Sequence, residues 1–151
     1  MSRIMIKEAQ FEDSQSLARM ALEIWENGSF QALTSEFEEM SQMAEVTSFL
    51  AYFEDEAIGF ANVALRHEYV EGCDSSPVAY LEGIYVKPLY RRQGYARDLV
   101  EACQLWGKRQ GCHEFASDCE LNNQTSWAFH LAMGFLEVNR LICFKKSLYN
   151  D

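Results

Sequence analysis

The sequence predicts an α/β (α+β) domain in which helices cover a mixed sheet. Three observations carry that expectation. Helical apolar spacing alternates along the chain with short runs rich in β-branched and aromatic residues. Two of those runs flank a polar tip, and a third feeds a basic, glycine-bearing loop that opens a helical pattern. With 151 residues, 48% of them hydrophobic and 24% charged, the chain can bury a substantial core as one domain over residues 1–151.

Arg3–Lys7 reads as a first strand. Asp13 and Ser14 suit the cap of a helix whose Leu17, Met20, Ala21 and Ile24 share one face, and Trp25 with Asn27-Gly28 ends it. Thr34 or Ser35 is expected to cap a second, acidic helix through Glu36, Glu38 and Glu39. Ser48–Phe53 and Ala57–Leu65 form a hairpin about Glu54-Asp55-Glu56. Gly72–Pro77 is a loop, and Val78–Val86 is an apolar strand interrupted by Glu82 and Gly83. From Gly94, the residues Ala96, Leu99, Val100, Cys103 and Trp106 return at helical spacing, with Gly107 and Gly111 marking the end. Glu114–Asp118 is a short strand, Asn123–Met133 a helix, and Phe135–Lys145 two strands or one bent strand.

A formal net charge of −10 argues against nucleic acid, which needs clustered Lys and Arg, and favours a cationic ligand; it equally keeps a soluble protein soluble. No apolar run approaches a membrane span and the start has no signal core. Five cysteines without CxxC spacing point to reduced thiols and a cytoplasmic setting. Three scattered histidines give no support to a metal centre.

The stretch Tyr90–Val100, YRRQGYARDLV, places Arg91, Arg92, Gln93 and Gly94 at a helix start. Unpaired N–H groups and the positive dipole end bind phosphate-like anions there, and Gly94 lets an anion approach the backbone. It is neither a P-loop nor a Rossmann fingerprint, and alone it reads equally as a basic turn capping a helix.

Placed directly after an apolar strand, Arg91-x-x-Gly94-x-Ala96 resembles the acetyl-CoA pyrophosphate loop of the GNAT N-acetyltransferases. Asn123, Ser126, Gly134 and Phe135 resemble that superfamily's second motif. The segments RHEYVEGCDSSPVAYLEGIYV (Arg66–Val86) and EFASD (Glu114–Asp118) are similar to the aminoglycoside 6′-N-acetyltransferases of the small, homodimeric type. The resemblance implies the GNAT fold: a mixed, mostly antiparallel sheet flanked by helices and splayed at its central strands. It implies acetyl-CoA as co-substrate without a metal, a cationic small-molecule amine as acceptor, and direct transfer in a ternary complex.

Acetyl transfer requires a base for the amine, a donor for the thioester oxyanion and a proton for the thiolate. Glu82 is the candidate base, because a carboxylate in an apolar strand is costly to bury; otherwise it faces outward on an edge strand. Gly83 favours a bulge beside it. The resemblance places Glu82 at the substrate amine and Asp118 on a substrate ammonium, sharing the base role; Asp118 otherwise caps a turn. It aligns Trp25, Tyr69 and Glu137 with the substrate pocket. Their plain alternatives are helix-end core, a loop anchor and a solvated strand residue. Backbone groups of Ile84, Tyr85 and Val86 would meet the pantetheine arm and supply the oxyanion donor. The loop from Arg91 through Arg92, Gln93, Gly94 and Tyr95 to Ala96 would hold the phosphates, joined by Asn123, whose alternative is a helix cap. His130 stands where many GNAT proteins carry an acid tyrosine, and it reads equally as a packed helix residue. Cys119 has no neighbouring base in sequence, so a covalent acetyl-cysteine is rejected. The acidic segments Glu36–Glu45 and Glu68–Asp74 would give the pocket a negative rim. Two other readings remain: a GNAT enzyme acting on a polyamine or protein amine, and a non-catalytic acyl-CoA sensor.

Overall fold

A computed structural model describes residues 4–150, which fall into two compact units divided between Asp118 and Cys119. The first unit is built on β1 (Ile4–Glu8), β2 (Val46–Phe53), β3 (Glu56–Arg66), β4 (Val78–Val86) and β5 (Phe115–Ala116). They lie in the order β1-β2-β3-β4-β5, antiparallel up to β4 and parallel between β4 and β5. The mixed, mostly antiparallel sheet is therefore as the sequence predicts. Arg3, expected to open the first strand, lies outside the described residues.

On one face lie α1 (Ser14–Ala21) and α2 (Phe30–Met40). Their stripes Leu17, Met20, Leu33 and Phe37 close over Leu50 and Phe60, with Phe37 meeting Phe60 edge-on at 6.1 Å. Burying such side chains stabilises by about 1.5–3 kcal/mol each. α3 (Tyr95–Arg109) buries Leu99, Val100, Cys103 and Trp106. Gly107 does not end this helix. It lies inside it, where an added Cβ would stand 2.7 Å from that of Ala79, so the glycine allows helix and strand to touch. The chain turns instead at Gly111, φ +88°.

Two caps differ from expectation. Ser29, not Thr34 or Ser35, caps α2 by accepting from the Ala32 amide at 3.0 Å, and Thr34 bonds back to the Phe30 carbonyl inside the helix. Asp13 stands at the N-cap of α1 as expected, but its side chain makes no cap bond there: it accepts from the Gln10 amide and closes a preceding 3-10 turn (Phe11–Asp13), and α1 ends at Ala21, before Trp25.

The second unit holds α4 (Gln124–Ala132), closed by a left-handed Gly134 (φ +94°) with the Phe135 amide bonded to the His130 carbonyl. Phe135–Lys145, expected as strand, forms none. An extended segment needs a ladder partner, and the described residues of its own unit supply none. Leu136, Ile142 and Phe144 are consequently exposed, Phe144 by 91%. Among the described residues no helix is long and apolar enough to cross a membrane.

Candidate active site

Glu82 owes its position to a β-bulge. Between β3 and β4 the register passes from Asn62↔Gly83 to Val63↔Leu81, leaving Glu82 as the extra residue. A bulge re-aims one side chain and sharpens the local twist. Trp25 packs against Gly83: a Cβ there would stand 2.9 Å from two indole carbons. Glu82 is not buried, contrary to the argument that singled it out. Its side chain retains 32% exposure, and what holds it is an ion pair with Arg66, the last residue of β3. Arg66 donates to both carboxylate oxygens, from Nε at 3.0 Å and Nη2 at 2.7 Å. The guanidinium carbon lies 3.4 Å from the centre of the Tyr80 ring. Tyr80, two residues before Glu82 and buried, donates its hydroxyl to Asp118, which follows β5. Arg66, Tyr80, Glu82 and Asp118 thus meet across β3, β4 and the end of β5. Burial first, then the Asp118 bond, pushes the Tyr80 hydroxyl far up, so it stays a donor. Its bond to Glu82 raises Arg66 as well, so the guanidinium stays charged.

The backbone beside this cluster is open along one edge. β5 pairs only with Ala79 and Tyr80, while β4 runs on to Val86. The Lys87 amide donates across to Ile58 on β3; strand alternation therefore turns the N–H and C=O of Val86 and Ile84 to the opposite edge, which β5 does not reach. This is the splay. One buried acceptor near it, Oδ1 of Asn62 opposite Gly83, has no hydrogen-bond partner among the described residues.

Beyond β4, the loop into α3 is shaped by its backbone. Arg92 (φ +63°) and Gly94 (φ +94°) are left-handed, and a Cβ on Gly94 would meet nothing, so glycine is needed there for its dihedral angle and not for space. Arg91 Nε donates to the Val86 carbonyl at 2.7 Å, and its guanidinium lies 5.6 Å from the Tyr85 ring centre. Gln93 donates to the Leu89 carbonyl. Tyr95 is a core residue, 3% exposed and edge-on to Tyr90, so only its backbone is available to a ligand. The helix start therefore presents N–H groups and dipole, which suits an anion.

The model of the Acetyltransferase (GNAT) family matches residues 14–135. An aminoglycoside N(6′)-acetyltransferase type 1 from Salmonella typhimurium is 44% identical over 124 residues, 82% of this chain and 86% of that protein. One from Klebsiella aerogenes is 40% identical, covering 95% of this chain and 97% of its own. The chain belongs to the aminoglycoside 6′-N-acetyltransferase type 1 family of GNAT acetyltransferases. Among solved structures, AAC(6′)-Iy in complex with a bisubstrate analogue, CoA-S-monomethyl-acetylneamine, superposes with a TM-score of 0.92 at 38% identity, covering 97% and 99% of the two chains. AAC(6′)-Ih from Acinetobacter baumannii gives 0.90 at 37% identity, with the same coverage.

The remaining residues expected of this acetyltransferase family are each placed within their own unit. Tyr69 is exposed on the loop between β3 and β4. That loop is pinned by Glu114, which accepts from the Asp74 and Ser75 amides, each at 2.9 Å. Asn123, His130 and Glu137 belong to the second unit and hold it together. Asn123 caps α4 by accepting from the Ser126 amide at 3.0 Å. His130 Nδ1 lies 2.7 Å from the Ser126 carbonyl, so Nδ1 carries the hydrogen, and the ring packs on Phe129 and Phe135. Glu137 accepts from the Trp127 indole and from Arg140; Arg140 first, then Trp127, holds its carboxyl down at about 2. Sequence reading missed Arg66 and Tyr80. Their one signal was spacing: Tyr80 shares a strand face with Glu82, and Arg66 closes the strand that pairs with it.

Proposed function

We propose that this enzyme transfers acetyl from acetyl-CoA to the 6′ amine of aminoglycosides by direct attack in a ternary complex. Its relatives' names carry the reaction. The observation that fits it to this chain is the Glu82 and Asp118 pair beside the splayed edge of β4. Two carboxylates there attract an ammonium, and the net charge of −10 favours polycations at long range. The α3 start takes the phosphates, through the amides of Gly94–Ala96 and the side chains of Arg91 and Arg92. The arm then runs along the open edge, where the outward amides of Ile84 and Val86 stand ready for the oxyanion. Glu82, directly or through one water, accepts the proton the amine must lose before attack, and Asp118 holds a second ammonium. The family resemblance assigns Trp25, Tyr69 and Glu137 to the acceptor and Asn123 to the cofactor. For His130 to protonate the leaving thiolate, the proton would pass through Nε2, because Nδ1 is engaged. The reading uses no metal.

The two units act as one acetyltransferase domain, which the family match across Asp118 supports. The enzyme works as a cytoplasmic homodimer paired along Phe135–Lys145, where exposed Leu136, Ile142 and Phe144 need cover. A gel-filtration mass of one chain would remove the dimer. The reaction is tested by mixing the protein with acetyl-CoA and kanamycin. Free thiol should appear in step with a single acetyl mass on the drug. Thiol release with spermidine or a basic peptide but not kanamycin would replace the substrate, and CoA binding without turnover on any amine would replace the enzyme by a sensor.

A further inference from the structure

Arg66 stands where a substrate cation would be expected. Its fork engages both oxygens of Glu82, at 2.7 and 3.0 Å, so the carboxylate that should receive an ammonium already holds a guanidinium. The same guanidinium lies on the Tyr80 ring, and Tyr80 in turn donates to Asp118. One arginine thus occupies Glu82 directly and is joined to Asp118 through a single tyrosine. The pair is accessible: the side chains keep 42% and 32% exposure, so an incoming cation can reach it.

We infer that Arg66 is a built-in competitor for the acceptor amine: in the resting enzyme it fills the ammonium site at Glu82, and binding of the acceptor exchanges one cation for the other. This rests on the reading of Glu82 as the amine-binding carboxylate. Exchange keeps the local charge constant, so Glu82 is never left unpaired, and it favours acceptors with several ammonium groups over simple monoamines, because only the former gain elsewhere in the pocket what displacement of the guanidinium costs. Arg66 is a positioning and specificity residue and takes no part in the bonds made or broken.

The test is a comparison of Arg66→Met, which keeps length and ring contact without charge, with Arg66→Lys and with Arg19→Met. Arg19 lies over Phe30 and its loss removes the same charge away from the cluster. The kanamycin KM should fall about three- to tenfold in Arg66→Met, as expected for loss of a partly exposed ion pair, and less in Arg66→Lys. It should change less than about twofold in Arg19→Met. Acetyl-CoA affinity should be unchanged throughout. Added ethylguanidinium should inhibit Arg66→Met competitively against kanamycin, at concentrations that leave the parent unaffected, which a purely structural role would not produce. An unchanged or raised KM in Arg66→Met with intact acetyl-CoA binding, an equal fall in Arg19→Met, or indifference to ethylguanidinium would overturn the inference. Glu82→Gln separates the two levels. If it is inactive while Arg66→Met keeps its KM, the competitor fails and the Glu82 reading survives; if it turns over normally, both fall.

Discussion

The two ends of β4 prepare for opposite charges by opposite means. At the Tyr80–Glu82 end, side chains do the work: Glu82, Arg66, Tyr80 and Asp118 are joined in a continuous line of contacts. At the Val86 end the backbone does it: left-handed Arg92 and Gly94 set the turn, and the start of α3 offers N–H groups with Arg91 tied back to the strand. Backbone amides suit a phosphate chain, which is the same in every cycle. A side-chain network can be exchanged for a substrate and altered by substitution, which suits an acceptor. The difference predicts that mutations at the two ends separate cleanly in what they damage.

The largest separation should come from Glu82→Gln. It removes the proposed proton acceptor, and kcat/KM for kanamycin should fall about 10²- to 10⁴-fold while acetyl-CoA still binds. Normal turnover would place the base elsewhere. Gly94→Ala should do the reverse. A left-handed alanine costs about 1–2 kcal/mol, so acetyl-CoA binding measured by calorimetry should weaken about tenfold with the acceptor KM unchanged. Equal affinity would mean that this turn is not part of the phosphate site. Tyr80→Phe deletes the donor to Asp118, a change of about 1–2 kcal/mol, and should raise the acceptor KM by about tenfold without touching acetyl-CoA. A parallel loss of both affinities would show that the two ends are not independent.

The smallest effect lies in the second unit. Glu137 has its carboxyl held down at about 2, so its pairing with Arg140 and Trp127 is complete above the ordinary carboxylate range and is lost as the pH falls through about 2. The Trp127 indole N–H resonance should therefore stay constant from neutral pH to about 4 and shift only below that. A shift centred in the ordinary carboxylate range would mean that the pairing is absent in solution.

Much of this was legible in the sequence because it is local. β4 has the bounds its apolar run predicts, and α3 begins where Gly94 permits, since strand propensity and a left-handed turn are properties of neighbouring residues. The glycine at 83 correctly marked the bulge. What could not be read depends on register. Arg66 and Glu82 are sixteen residues apart and meet only because β3 and β4 pair with one residue to spare. The same ignorance made Glu82 look buried, when the bulge turns it toward solvent. Thr34 and Ser35 were plausible caps by type, but the helix begins earlier, at Phe30, because Phe30 packs with the α1–α2 core. Phe135–Lys145 has strand composition without a strand partner in its own unit, and composition does not report partners.

The central claim is transfer to one particular amine. Its most direct test measures acetyl-CoA thiol release with kanamycin beside an analogue that carries a hydroxyl in place of the 6′ amine, and locates the acetyl group by NMR. Turnover with kanamycin alone and a single acetyl on the 6′ nitrogen are expected. Equal turnover on the hydroxyl analogue, or acetyl on another nitrogen, would contradict it.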